Sequence, residues 1–162
     1  MPAEPVQGLM VTLAAADSTW PLGTAMRFEA TLKNVGRTPI LVDLFGDLDE
    51  IYQGKRSGYL PSCFALSWGR MLGPAGPKRG RYTLARDQFV RLAPGESTVK
   101  RLGLTLSRVP PGTYRVRLAY TPRAASPSFS VPERWMNQQE FHEPMWIGMA
   151  FSNELTVHVV AS

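Results

Sequence analysis

The sequence predicts an all-β fold: a two-sheet antiparallel sandwich of about seven to nine strands, forming one domain over residues 1–162, with two long inserted loops. Three observations carry this reading. Apolar and polar residues alternate with a period of two in six separate stretches. Glycine and proline, 14 of each, punctuate those stretches and are too many for a helical bundle. A chain of 162 residues supplies one core and is too short for two full-sized domains.

The elements follow in chain order. Leu9, Val11 and Leu13 alternate with Met10, Thr12 and Ala14. Trp20-Pro21-Leu22-Gly23 reads as a turn, with Trp20 a core residue. Met26, Phe28, Ala30 and Leu32 alternate with Arg27, Glu29, Thr31 and Lys33, which is the pattern of a half-buried strand. Asn34-Val35-Gly36-Arg37-Thr38-Pro39 turns the chain, because Asn and Gly tolerate positive φ. Ile40, Val42 and Leu44 then face one way, with Leu41, Asp43 and Phe45 opposite.

Residues 46–80 are less regular. A strand around Phe64, Leu66 and Trp68 is expected, with Trp68 inside. Gly73 to Gly80 is a loop rich in Gly and Pro, and Tyr82 to Leu92 holds one or two short strands. Ala93-Pro94-Gly95-Glu96 is a tight turn. Leu102, Leu104 and Leu106 alternate with Arg101, Gly103 and Thr105. After Val109-Pro110-Pro111-Gly112, the residues Tyr114, Val116, Leu118 and Tyr120 alternate with Thr113, Arg115, Arg117 and Ala119. Leu155, Val157 and Val159 close the series, with His158 pointing away from the core. The best helix candidate is Pro132 to Glu140.

Apolar residues at 44% and charged residues at 19% exclude a disordered acidic chain and a fibre. No apolar run approaches the roughly 20 residues of a membrane-spanning helix. Charge is uneven along the chain. Residues 1–50 carry three basic and seven acidic groups, residues 51–123 carry fourteen and two, and residues 124–162 carry one and four. That distribution reads either as guanidinium groups solvating strand faces or as a surface for an anionic partner. The lone Cys63 excludes an internal disulfide and a thiolate metal cluster. The opening residues lack a signal peptide's basic and apolar regions. The chain begins just before one strand and stops just after another. This fits a mature extracellular or periplasmic domain whose leader is absent, with a cytoplasmic domain as the alternative.

Five phrases carry a resemblance: Leu32-Lys33-Asn34-Val35-Gly36, Leu92-Ala93-Pro94-Gly95-Glu96, Pro111-Gly112-Thr113-Tyr114, Trp146-Ile147-Gly148 and Ser152-Asn153-Glu154-Leu155-Thr156-Val157. They resemble the turn-and-strand phrases of immunoglobulin-like and fibronectin-like β-sandwich domains of bacterial envelope and secreted proteins. The likeness covers the first 45 and last 70 residues and omits 46–80. It implies an immunoglobulin-like sandwich. Tyr114 stands where such a domain carries a tyrosine corner, its hydroxyl bonding back to the preceding turn. The Cys…Trp…Cys core of antibody domains is missing. The opening strand pair is also similar to the bacterial intracellular proteinase inhibitor family, without a reactive-site residue.

Several groups could carry chemistry. Asp43, Asp47, Asp49 and Glu50 fall within eight residues, and hard Ca²⁺ takes several oxygen ligands from such a loop. A solvated acidic turn is the other reading, and their spacing is not that of an EF-hand. Met136, Met145 and Met149 surround His142, a donor set that suits Cu(I), although methionines also fill gaps in packing. His142 beside Glu143 offers a base and an acid, but no Gly-x-Ser-x-Gly elbow accompanies them. The segment 121–148 is far longer than an ordinary hairpin loop and holds Phe129, Trp135, Met136, Phe141, Met145 and Trp146. These aromatics either fold back over a sheet edge or stand out as a recognition surface.

The expected function is therefore a non-catalytic binding module that recognises a protein or an anionic polysaccharide. The binding residues expected are Trp135, Met136, Phe141, His142 and Trp146 in the 121–148 loop, and Lys78, Arg79 and Arg81 in the basic 54–91 region. Arg70, Lys78, Arg79, Arg81, Tyr82 and Arg86 mix cations with an aromatic, but no nucleic-acid motif is present and that partner is not expected. A proteinase inhibitor inserting Arg123, Lys78 or Arg79 is one alternative. A small hydrolase or metal protein built on His142 and Glu143 is the other.

Overall fold

The structure, a computed structural model, describes residues 2–53, 62–69, 88–104, 109–122 and 144–161, and the backbone of 55–56, 82–83 and 129–130. The strands are β1 (Leu9–Ala15), β2 (Thr19–Pro21), β3 (Met26–Asn34), β4 (Ile40–Asp43), β5 (Leu48–Tyr52), β6 (Lys55–Arg56), β7 (Phe64–Trp68), β8 (Tyr82–Thr83), β9 (Phe89–Leu92), β10 (Ser97–Leu104), β11 (Gly112–Tyr120), β12 (Phe129–Ser130), β13 (Ala150–Phe151) and β14 (Leu155–Val160). No α-helix occurs among the described residues, and none there could cross a membrane. The expected helix at 132–140 lies outside the described residues.

Two larger sheets and the separate β4-β9 pair, through Ile40, Val42 and Leu92, share the main core, so the expected two sheets are joined by a third. One larger sheet has the order β1-β3-β10; the other runs β2-β14-β11-β7-β5-β6, with β13 also on β11. The alternating residues of β1 and β3 point inward as their pattern demands: Leu9, Val11, Phe28, Ala30 and Leu32 are all nearly inaccessible. They meet Phe64, Leu66, Trp68, Val116, Leu118, Tyr120 and Val157 from the larger sheet in one cluster. Trp20 and Trp68 both lie in it, as the sequence suggests.

Two further features depart from the expectation. The pairing is not purely antiparallel, because β5 runs parallel to β7 and β2 runs parallel to β14. The stretch at Trp20, read as part of a turn, is this short second strand. Its pairing partner lies at the far end of the chain, so no local signal marks it. Among the described residues there are also fourteen strands rather than seven to nine, the excess being two- and three-residue pieces.

The larger sheet is buried on both faces around β5, β7 and β11. Ile51, Ala65 and Ala119 form a second cluster on the face away from the main core, with Met149 and Phe151 against them. Strands buried on both sides lose the alternation that identifies them, and all five residues of β7 are buried.

Polar side chains fix the connections. Tyr114 Oη donates to the carbonyl of Pro110 at 2.7 Å, the corner expected from sequence. The wholly buried Tyr120 hydroxyl both donates to the Asp43 carbonyl and accepts from the Asp43 amide, each at 2.9 Å. It thereby pins β11 to the end of β4. Asn34, fully buried, donates to the carbonyls of Thr38 and Leu92 and accepts from the Gly36 amide, which closes the turn after β3. Near the C-terminal end, Ser152–Glu154 face only Arg117 and Leu118, making a bulge between β13 and β14. Within that bulge, Asn153 accepts from the Leu13 amide at 2.8 Å and donates to the Leu13 carbonyl at 3.1 Å. Val6 similarly exchanges both backbone bonds with Leu9. The outer edge of β1 is thus capped at both ends.

Candidate interaction surface

Among the described residues no strand pairs with the other edge of the three-stranded sheet. Gly103 donates its amide outward to Asp47 Oδ1 at 2.8 Å, whereas the Glu96 carbonyl turns inward to the Asn34 amide. Alternation along β10 then aims the backbone groups of Ser97, Val99 and Arg101 away from β3. Among the described residues nothing pairs with them. Val99, in the middle of the strand, is 53% exposed on the sheet's outer face.

The chemistry of the edge is set by its neighbours. Arg101 stands fully in solvent and makes only a long ion pair of 3.7 Å with Glu29. Lys100 sits opposite Ala30, on the core-facing side, and is half-buried at the sheet margin. An inward-pointing lysine on an edge strand opposes pairing with a like-charged copy. Arg27 and Lys33 are exposed on the adjacent β3. A depression of about 550 Å³ crosses the end of this sheet, from Ala14–Ala16 past β3 to Arg101–Gly103 on β10. Ala14, Ala16 and Gly103 leave room for it, and Arg27, Glu29 and Arg101 rim it.

The four acidic residues expected to hold Ca²⁺ do separate work. Asp43 Oδ1 accepts from the Phe45 amide at 3.1 Å. Asp47 Oδ1 serves Leu48 and Gly103. Asp49 Oδ1 takes the Glu50 amide at 2.9 Å, and Glu50 Oε2 takes the Trp68 indole N–H at 3.0 Å. Asp49 and Glu50 are neighbours on a strand, so they point to opposite faces. No group of three or more His, Cys, Asp or Glu side chains among the described residues is placed to hold a metal ion. The segment is also held tightly from behind. Gly46 has φ +86°, and a Cβ there would come within 2.8 Å of Ser62. Ser62 Oγ donates to the Asp47 carbonyl, and the Cys63 amide donates to Phe45.

Trp146, expected on a recognition surface, is a core residue with 4% exposure. Its ring lies 5.6 Å from that of Tyr120, and its indole N–H donates to the Val6 and Gln7 carbonyls. The physical reason is a short parallel contact: the Leu41 amide donates to Pro144 and the Trp146 amide to Leu41, laying 144–146 along β4. Trp135, Met136, Phe141, His142, Glu143, Lys78, Arg79, Arg81 and Arg123 lie outside the described residues. His158 is exposed as alternation requires, with Nδ1 3.0 Å from Thr113 Oγ1. The β10 edge was missed in the sequence. Its signal is Lys100 at a core-facing position of an otherwise regular strand.

No protein-family model, curated protein or solved structure matches the chain.

Proposed function

We propose that the chain is a non-catalytic interaction module that binds an acidic, extended segment of a partner protein by adding it as a strand to β10. The observation that carries this reading is the outward row of backbone groups from Ser97 to Arg101, unpaired among the described residues and flanked by Lys100 and Arg101. Main-chain bonds would supply affinity, and the depression at the end of the sheet, which reaches Arg101 and Gly103, would take one side chain of the added strand. Asp47 on the Gly103 amide already shows a carboxylate as an acceptor at this edge. Further recognition by the 121–148 loop and the basic 54–91 region belongs to the same proposal.

The finer fold assignment in this reading is immunoglobulin-like. The order β1-β3-β10 matches the A-B-E sheet of such domains and β14-β11-β7 matches the G-F-C sheet, with the tyrosine corner at the start of the F-equivalent strand. An envelope or secreted location accompanies the assignment.

Peptides displayed on phage and selected on the chain should be enriched in acidic, β-branched sequences. Val99→Pro removes an outward amide while leaving the ladder to β3 intact. It should weaken the selected peptides by about tenfold or more. Lys100→Glu with Arg101→Glu should do the same. Selected peptides that bind Val99→Pro as well as the parent chain sink the reading.

A further inference from the structure

A second surface, on the opposite sheet, has the makings of a small-ligand site. Thr113, Arg115 and Arg117 project from one face of β11, and Ser67 is the cross-strand partner of Arg117 on β7. With Gly69, Tyr114 and Glu154 they line a depression of about 540 Å³ on the face away from the main core. It opens where the Ser67 side chain is small and Gly69 has none.

Two observations point to a ligand rather than to mere surface relief. The first is Ser67, which is 1% exposed and whose Oγ has no hydrogen-bond partner. A buried hydroxyl left unpaired is costly, and native proteins satisfy most such groups. The second is the state of the guanidinium groups. Arg117 is held in place by its Nε donating to the Ser152 carbonyl at 3.4 Å and by the Phe151 ring 5.2 Å beneath it. Among the described residues neither Arg117 nor Arg115 forms an ion pair, although both are cations lining one concavity. A held guanidinium with its remaining donors free is suited to a planar or tetrahedral oxyanion.

The rest of the lining defines what carries the oxyanion. The volume exceeds that of a bare anion and falls in the range of small-ligand pockets. Glu154 adds a carboxylate to the lining, which disfavours a second anion. Thr113 Oγ1, close to His158, adds a donor or acceptor on the same side. We infer that this depression binds a sulfate or phosphate group borne by a sugar-sized molecule, the oxyanion meeting Arg115, Arg117 and Ser67 and a hydroxyl group meeting Thr113. This site is independent of strand addition at β10.

The test is a titration of the isotopically labelled chain, at constant ionic strength, with glucose 6-sulfate, glucose 6-phosphate, plain glucose and inorganic sulfate. The charged sugars should give saturable shifts of the Ser67, Gly69 and Arg117 amides, and glucose none. Ser67→Ala should weaken them several-fold while raising the melting temperature, because it removes an unpaired buried hydroxyl. Arg117→Gln should weaken them about tenfold, and Arg117→Lys should restore part of the loss. Inorganic sulfate binding as tightly as the sugars supports the oxyanion site and assigns the free ion as its source. Absence of saturable shifts with all the anions, or an affinity untouched by Ser67→Ala, overturns the inference. Val99→Pro should leave these titrations unchanged, which separates this result from that at β10.

Discussion

The two main sheets solve different problems. The β1-β3-β10 sheet buries one face, exposes the other and, among the described residues, pairs its β10 edge with no strand. The larger sheet is buried on both faces through β5, β7 and β11, so that Ser67 and Asp49 are carried inside with Ile51, Ala65 and Ala119. The thin sheet therefore has backbone available for recognition. The thick one carries polar side chains inside it, Asp49 accepting from the Glu50 amide and Ser67 with its hydroxyl unpaired among the described residues. Availability in this molecule follows from how many sides of a strand are covered, not from how polar its residues are.

The largest test of that contrast is a truncation in the doubly covered strand. Phe64→Ala removes a ring with no exposure, packed 5.4 Å from Tyr120, and should cost about 3–5 kcal/mol in urea denaturation. Val99→Thr, on the β10 edge, should change stability by less than about 0.5 kcal/mol. Comparable losses at both positions would erase the distinction. A smaller effect is expected from Tyr120→Phe, which keeps the ring but leaves the amide and carbonyl of Asp43 without the hydroxyl. About 1–3 kcal/mol should be lost, again read by urea denaturation.

The smallest effect is a pH dependence. Burial, and secondarily Tyr52, raise the Tyr114 phenol above its usual pKa of 10.0. A raised pKa in the folded state means that the unfolded chain gives up this proton first. The associated stability is complete below pH 10.0 and declines as pH rises through the folded value. Tyr114→Phe should flatten that alkaline decline in melting temperature while lowering stability evenly at neutral pH through loss of the bond to Pro110. An unchanged alkaline slope would assign the decline to other groups.

How much was legible in the sequence follows the same division. β1, β3, β11 and β14 were read from their alternation, and the corner at Tyr114 from its place after Pro111-Gly112. All four strands have at least part of one face in solvent, which is what writes a period of two into a sequence. β7 is apolar on both sides and β5 carries Asp49 and Glu50 inward, so neither has a clean period. Their parallel pairing is set by distant residues and leaves no local mark. The acidic run from Asp43 to Glu50 showed density of charge but not direction, and direction decides whether carboxylates converge. Trp146 could not be told from an exposed aromatic because its cover is the Tyr120 ring and its hydrogen-bond partners are near residue 6. Lys100 was visible as a charge, but its inward register emerged only with the pairing to Ala30.

The parallel alignment of β2 with β14 has a consequence under load. The Leu22 amide bonds the Val160 carbonyl at 2.9 Å and the His158 amide bonds Ser18 at 2.7 Å, with Trp20 anchored beneath. Tension drawing the polypeptide apart from its opposite ends pulls these two strands lengthwise past each other. The bonds must then rupture together instead of opening one by one. Such an arrangement resists stretching more than its few hydrogen bonds suggest.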